Sequence, residues 1–295
     1  VALWINQLDG DFASAGAPSW PALDPGEVVI LSDVDGSGTV DILRAQTNGS
    51  GPWRYWSLAR ERPGLLESQE NGLGYRVTMH YQPAARLAAE DAAAGSPWPS
   101  TPPSAAVVLV DTVESDADTW TRTTHYHPRD GWHDPERGEL RGFAEHTAVR
   151  DGDNYSSTAI VTRRYDLGRE DEARGLQLVE EVTADPDAVL VRTVHTVETE
   201  TPLVGIRIAR RTATDAYHVE RGPENLAARV RTEWDHDAAG NIVEERAMGR
   251  VDPNTGADLP GDERITTTAY AVPTAADGPQ SLPAEVVVTD GDGVQ

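Results

Sequence analysis

"EWDHDAAGNIVEE", residues 233–245, sets a polar turn between two strand-like runs, and its reading decides the fold. Asp237 is placed to accept hydrogen bonds from the amides that follow it. Gly240 or Asn241 is placed to take the positive φ that reverses the chain. The flanks, "ARVRTEWDH" (228–236) and "IVEERA" (242–247), show partial period-two alternation. The same texture recurs in "YRVTMHY" (75–81), "AVVLVDTVE" (106–114), "TWTRTTHYH" (119–127), "STAIVTRRYD" (157–166), "AVLVRTVHTVE" (188–198), "IRIARRTATDAYH" (206–218), "RITTTAY" (264–270) and "EVVVTD" (285–290). Many of these runs end in Gly, Asp, Asn or Pro, as strands do before a turn. One segment departs from the pattern: "PAARLAAEDAAAG" (83–95) places helix formers after a proline and stops at Gly95. The expectation is a mainly β chain, a long antiparallel meander with one short helix within 83–95. Such a meander has to bury one face, either by closing on itself or by wrapping a space.

Nearer the start, "LSDVDGSGTVDIL" (31–43) sets oxygen-bearing residues at alternate positions between apolar runs. Asp33, Asp35, Ser37, Thr39 and Asp41 take positions 1, 3, 5, 7 and 9 of a turn loosened by Gly36 and Gly38. A hard cation wants such oxygens, together with a backbone carbonyl and glycines that let the chain fold around it. An EF-hand would also need a bidentate Glu at position 12, where Arg44 stands. The flanks "EVVIL" and "VDIL" read as buried strands, not helices. The candidate is therefore a strand–loop–strand turn holding a structural Ca²⁺, of the kind found in β-propeller blades. The alternative is a glycine-rich hairpin whose aspartates only cap backbone amides. With "VALWINQLDGDF" (1–12) before it, the spacing suggests sheet blades. Composition shifts around Gly49–Pro52 into "WRYWSLARERPGLL" (53–66), which places a boundary near residue 57.

A chain of 295 residues suits one large or two moderate domains. Its net charge of −24 argues against binding nucleic-acid phosphate or an anionic membrane surface. Every basic side chain is arginine, from which no functional conclusion follows. The absence of cysteine excludes disulfides and thiolate chemistry. No apolar run approaches bilayer length, the longest being "AAVVLV" (105–110). The start shows no signal-peptide pattern, and the chain reads as a piece of a longer polypeptide. There is no G-x-S-x-G elbow and no phosphate loop, and sequence does not fix the carboxylate separation a glycosidase needs. No enzyme activity is expected.

Other residues invite chemistry and receive plainer readings. His125 and His127 have strand spacing, with His133 and Asp134 after a turn, a set zinc would use only with a further ligand and an oriented outer shell. Packing and hydrogen bonding are the expected roles. Arg137 and Arg141 beside Glu136, Glu139 and Glu145 read as cross-strand ion pairing, with Phe143 as a buried anchor after Gly142. Trp53, Trp56, Trp98 and Trp132 read as core plugs, not ligand-stacking platforms.

Three stretches resemble successive signatures of the B component of insecticidal Tc toxins. They are "RPGLLESQENGLGYRVTMHYQP" (62–83), "AAGSPWPSTPP" (93–103) and "HYHPRDGWHDPERGELRGFAEH" (125–146). The 233–245 turn resembles a YD (Rhs) repeat, with His236 where tyrosine usually stands, and "VVVTDGDG" (286–293) resembles the start of another. Two departures from the family pattern are Gly138, which interrupts a charged run, and the segment after Pro83. The resemblance implies FG-GAP-like β-propeller strands over 1–57, the toxin middle region over 58–150 as the start of a β-shell, and antiparallel YD/Rhs-type shell strands over 151–295. It implies a secreted, non-catalytic structural role: a hollow shell that holds an unfolded toxic cargo until it passes through a pore. The implied partners are the rest of the shell polypeptide, a cargo-bearing C-type segment and a pore-forming A-type subunit, with no nucleic acid and no membrane contact by this segment. The competing class is a calcium-dependent adhesion or carbohydrate-binding β module of a cell-surface YD-repeat protein.

Overall fold

The structure is a computed structural model that describes residues 4–7, 10–14, 23–59, 62–99, 107–117, 120–153, 156–168, 171–184, 189–203, 205–219, 228–272 and 281–291. Parts of eight quoted stretches, 1–12, 53–66, 93–103, 105–110, 106–114, 119–127, 188–198 and 286–293, fall outside them. The chain divides into two compact units, Val1–Pro63 and Gly64–Gln295.

In the first unit β1 (Trp4–Asn6) pairs antiparallel with β2 (Phe12–Ser14). A separate three-stranded antiparallel sheet follows, β3 (Glu27–Ser32), β4 (Asp41–Gln46) and β5 (Arg54–Trp56), in that order. The central strand buries Asp41, Leu43, Arg44 and Ala45, and Arg44 pairs with Glu27 on the neighbouring strand. The expectation that both flanks of the aspartate loop are buried holds for β4 only. Val28, Val29, Ile30 and Leu31 of β3 are all exposed, Leu31 to 67%. β3 is an edge strand, and none of the described residues covers it. Trp53, just before the short β5, is likewise exposed and plugs no core.

The second unit is one thirteen-stranded sheet in which each strand pairs with the next. Its strands are β6 (Ser68–Glu70), β7 (Arg76–Pro83), β8 (Val108–Ala117), β9 (Trp120–Asp134), β10 (Glu139–Arg150), β11 (Ala159–Tyr165), β12 (Gln177–Ala184), β13 (Val189–Leu203), β14 (Ile206–His218), β15 (Ala228–His236), β16 (Ile242–Val251), β17 (Arg264–Tyr270) and β18 (Pro283–Asp290). All pairings are antiparallel, with β6 and β18 at the two edges. A helix, α1 (Ala84–Ala93), interrupts the meander between β7 and β8.

Opposite charges placed directly across the strands support this register. Glu145 faces Arg164, Arg163 faces Glu180, Glu181 faces Arg192 and Asp215 faces Arg231. Each of these pairs closes to an ion pair, at 3.0, 2.6, 2.7 and 3.3 Å. A slip of one residue would send the two members of each pair to opposite faces. The first three pairs are partly solvated, so each of them adds little energy but penalises a wrong register. The abundance of arginine and acid is thus spent largely on alignment.

The apolar core of this unit lies under α1. Ala84, Leu87, Ala88 and Trp98 are buried, with Val107, Leu109 and Phe143 packed against them. Pro83 supplies an extended residue before the first turn, the Ala84 amide donates to the Val107 carbonyl, and the helix ends before Gly95 at φ 87°. The Trp98 ring stands edge-on to Phe143, with centroids 5.8 Å apart, and both rings lie over Gly131. A Cβ on Gly131 would come within 2.8 Å of Phe143 and 2.9 Å of Trp98. Gly131→Ala is expected to cost about 1–3 kcal/mol by overpacking, read as a lower urea midpoint with unchanged slope.

Beyond the residues that pack under the helix, Leu109 of β8 among them, the sheet is thin. Every residue of β8 and β12, on both faces, is half-buried, which is the profile of a single layer. Ordinary antiparallel sheets bury one face and solvate the other.

Candidate functional site

The aspartate loop folds as a nest of amides around three carboxylates. Asp33 accepts from the Ser37 amide at 3.0 Å and from the Gly38 amide at 2.9 Å, one on each oxygen. Asp35 accepts from the Ser37 amide at 3.0 Å, and Asp41 Oδ2 accepts from the Val34 amide at 2.8 Å. Gly36 and Gly38 take φ of 71° and 79°, which an L side chain adopts only with strain. The hydrogen bond with the Ser37 side chain holds the Asp35 carboxyl below its usual range, against a smaller opposing effect of burial. Oxygens of Asp33, Asp35 and Asp41 all lie within 4.8 Å of one another. Among the described residues this is the one cluster of three or more metal-ligating side chains.

The other two predicted ligands behave differently. The Ser37 and Thr39 hydroxyls touch at 2.9 Å, and the Thr39 hydroxyl donates to the Ala59 carbonyl at 2.8 Å. Ser57 Oγ donates to the same carbonyl at 3.0 Å. Sequence spacing gave no sign of this tie, because Ala59 lies twenty residues from Thr39.

The histidines do not converge on a zinc site. His127 Nε2 sits 3.0 Å from Asp91, while His125 Nε2 lies 3.4 Å from Asp151. Asp134 is taken up by the turn: it accepts from the amides of Glu136 and Arg137 and from Arg141 Nη2 at 3.0 Å. Arg141 is buried there, its guanidinium 5.9 Å from the Trp132 ring centre. Glu139 pairs with Arg174 and also lies 3.8 Å from Arg141 Nε, so that expected pairing forms, while Glu145 pairs with Arg164. Asp91 is the buried hub that the sequence did not reveal. It accepts from Trp98 Nε1 at 2.7 Å and lies 3.3 Å from Arg129 Nε.

The 233–245 turn is built as its residues suggested. Asp237 Oδ1 accepts from the amides of Ala239 and Asn241, both at 2.9 Å, and Oδ2 accepts from Asn241 Nδ2 at 2.8 Å. Gly240 takes the positive φ, 94°. Arg210, buried on β14, donates from Nη1 to the Asp237 carbonyl at 2.7 Å. The Asn241 side chain first, then the turn amides, holds the Asp237 carboxyl below its ordinary value. A carboxyl depressed on folding stabilises the fold above its unfolded pKa, and that stability is lost as pH falls through the folded value. Asp237→Ala is expected to cost about 1–2 kcal/mol at pH 7. Below the folded carboxyl's pKa its melting temperature should converge on that of the native chain, as thermal scans across acid pH would show.

An apolar groove opens on the sheet, lined by Met79, Leu109, Tyr126, Phe143, His146 and Arg163. Burial, reinforced by Arg163, pushes the His146 pKa down, which favours the neutral ring stacked against Tyr126 at 5.6 Å. Among the described residues that line the groove there is no serine, threonine, lysine or carboxylate. No helix among the described residues is long and apolar enough to cross a membrane.

Comparison with solved structures places this architecture. The chain superposes on a structure titled as the Photorhabdus luminescens Tc holotoxin pore with TM-score 0.70, at 13% identity, over 99% of its own length and 18% of that chain. A crystal structure of TcdB2–TccC3 matches with TM-score 0.69 and 14% identity, over all of this chain and 19% of that one. At such identity the likeness is one of fold, and the chain spans less than a fifth of those proteins. No curated protein matches. The family model described as the insecticide toxin TcdB middle/N-terminal region matches residues 10–169, more than half of the 295. With the meander, the helix and its hub in place, the chain belongs to the insecticide toxin TcdB middle/N-terminal region family.

Proposed function

We propose that this chain is a non-catalytic wall segment of a toxin-complex B component, helping to enclose a toxic cargo and deliver it. The observation that carries this reading is the thirteen-stranded meander, half-buried on both faces of β8 and β12, in the fold of TcdB2–TccC3. A sheet of that extent with one small core under its helix is suited to bounding a space, not to forming an active site. In this reading β3, β4 and β5 belong to a propeller whose neighbouring strands cover the apolar edge that β3 exposes. The Asp237 turn acts as a YD-type repeat turn. The partners are a cargo-bearing C-type segment and a pore-forming A-type subunit, and the assembly is secreted. The adhesion reading wants its tryptophans exposed together, whereas Trp53 is exposed and Trp98 is buried in the helix core.

Protease protection tests the proposal. The complete polypeptide containing this chain is purified with its C-type partner and digested beside the partner's cargo segment alone. The cargo is expected to survive in the complex until the complex is denatured. Digestion at the rate of the free segment would contradict enclosure.

A further inference from the structure

We propose that the 33–41 loop binds one calcium ion and that the ion, through Thr39, fixes the segment by which the chain leaves the β3–β5 sheet. This inference does not depend on the toxin-shell reading. Three carboxylates held within 4.8 Å of one another repel unless a cation sits among them. Amides offset part of that repulsion at Asp33 and Asp35. Asp41 is the odd member: it is fully buried, its Oδ2 accepts from Val34, and its Oδ1 has no hydrogen-bond donor. A buried carboxylate oxygen left without a partner is costly. Within the acidic cluster, a cation is the partner that removes this cost.

The donor set selects the ion. It is all oxygen, with three carboxylates, the Ser37 hydroxyl and the Thr39 carbonyl on a loop given freedom by Gly36 and Gly38. That number of flexible oxygens suits calcium better than magnesium, which demands a rigid octahedron and keeps more of its water. Each carboxylate oxygen that accepts one amide retains a lone pair for the metal. The Thr39 hydroxyl touches the Ser37 hydroxyl and donates to the Ala59 carbonyl, which Ser57 also engages. Threonine thus offers its backbone carbonyl to the ion and its side chain to the exit segment, so ordering one orders the other.

The test is calorimetric titration of the metal-stripped 295-residue chain with calcium chloride, and separately with magnesium chloride, with hydrogen exchange followed at residues 57–59. One calcium per chain is expected, bound at least about tenfold more tightly than magnesium, with slower exchange at 57–59 when it is bound. Asp41→Asn keeps the side chain's volume and an acceptor for Val34. It should weaken calcium binding at least about tenfold, while melting in chelator at or above the native temperature because the unpartnered charge is gone. Asp35 is exposed, so Asp35→Asn keeps the fold and should also weaken binding, which leaves the test decisive if Asp41→Asn does not fold. No binding up to millimolar calcium would overturn the proposal, and so would binding unchanged by both substitutions. Binding without slower exchange at 57–59 would overturn the coupling.

Discussion

Asp215→Ala is expected to destabilise the chain by about 3–5 kcal/mol, the range for removing one partner of a buried ion pair. Asp215 lies near the middle of the sheet on β14 and is buried, with Arg229 Nε at 2.8 Å and Arg231 Nη1 at 3.3 Å on β15. Arg229 is the more enclosed of the two, with a side chain 11% exposed and its guanidinium 5.3 Å from the Tyr217 ring centre. Its hydrogen bond to Asp215 is the main reason its pKa is raised. Without the carboxylate a cation is stranded between strands, whereas Arg231 keeps Glu233 at 2.7 Å. The cost should therefore fall mainly on Arg229, and Asp215→Leu combined with Arg229→Met should recover much of the loss. Urea titrations of the three proteins measure this. A loss below about 0.5 kcal/mol for Asp215→Ala would mean that solvent screens the pair and that it does not hold the sheet's register.

A comparable loss, about 3–5 kcal/mol, is expected for Asp91→Ala at the helix end of the sheet. An acid in the last turn of a helix opposes the macrodipole, so its presence there needs another reason. That reason is the set it gathers: the Trp98 indole at 2.7 Å, His127 at 3.0 Å and Arg129 at 3.3 Å. Alanine would bury the indole N–H without an acceptor and leave Arg129 without its carboxylate. Trp98→Phe keeps most of the ring volume and loses one hydrogen bond, for about 1 kcal/mol. The ratio of these two losses, from denaturant unfolding followed by circular dichroism, separates the electrostatic role of Asp91 from the packing of Trp98. Equal losses would contradict the assignment of Asp91 as the hub.

What the residues announced in advance was local. The Asp237–Gly240–Asn241 turn was legible because its donors and acceptors lie within four residues of each other. Helix α1 was legible from Pro83, the alanine run and Gly95, and the meander from repeated strand and turn chemistry. The hub at Asp91 was not, because it joins residues seven and thirty-six positions apart. Arg210 beneath the Asp237 turn, twenty-seven positions away, escaped for the same reason. The exposure of "EVVIL" was hidden too, since an apolar strand reads the same whether or not a neighbour covers it. The loop ligands could be named by spacing alone, but the orphaned oxygen of Asp41 and the tie from Thr39 to Ala59 required coordinates.

The central claim, that residues 64–291 are a wall around a space, is tested most directly by electron cryomicroscopy of the complete polypeptide bound to its C-type partner. The account predicts the meander as one contiguous layer, with a hollow chamber on one face and solvent on the other. A second sheet or helical layer packed along that face, with no chamber behind it, would contradict it.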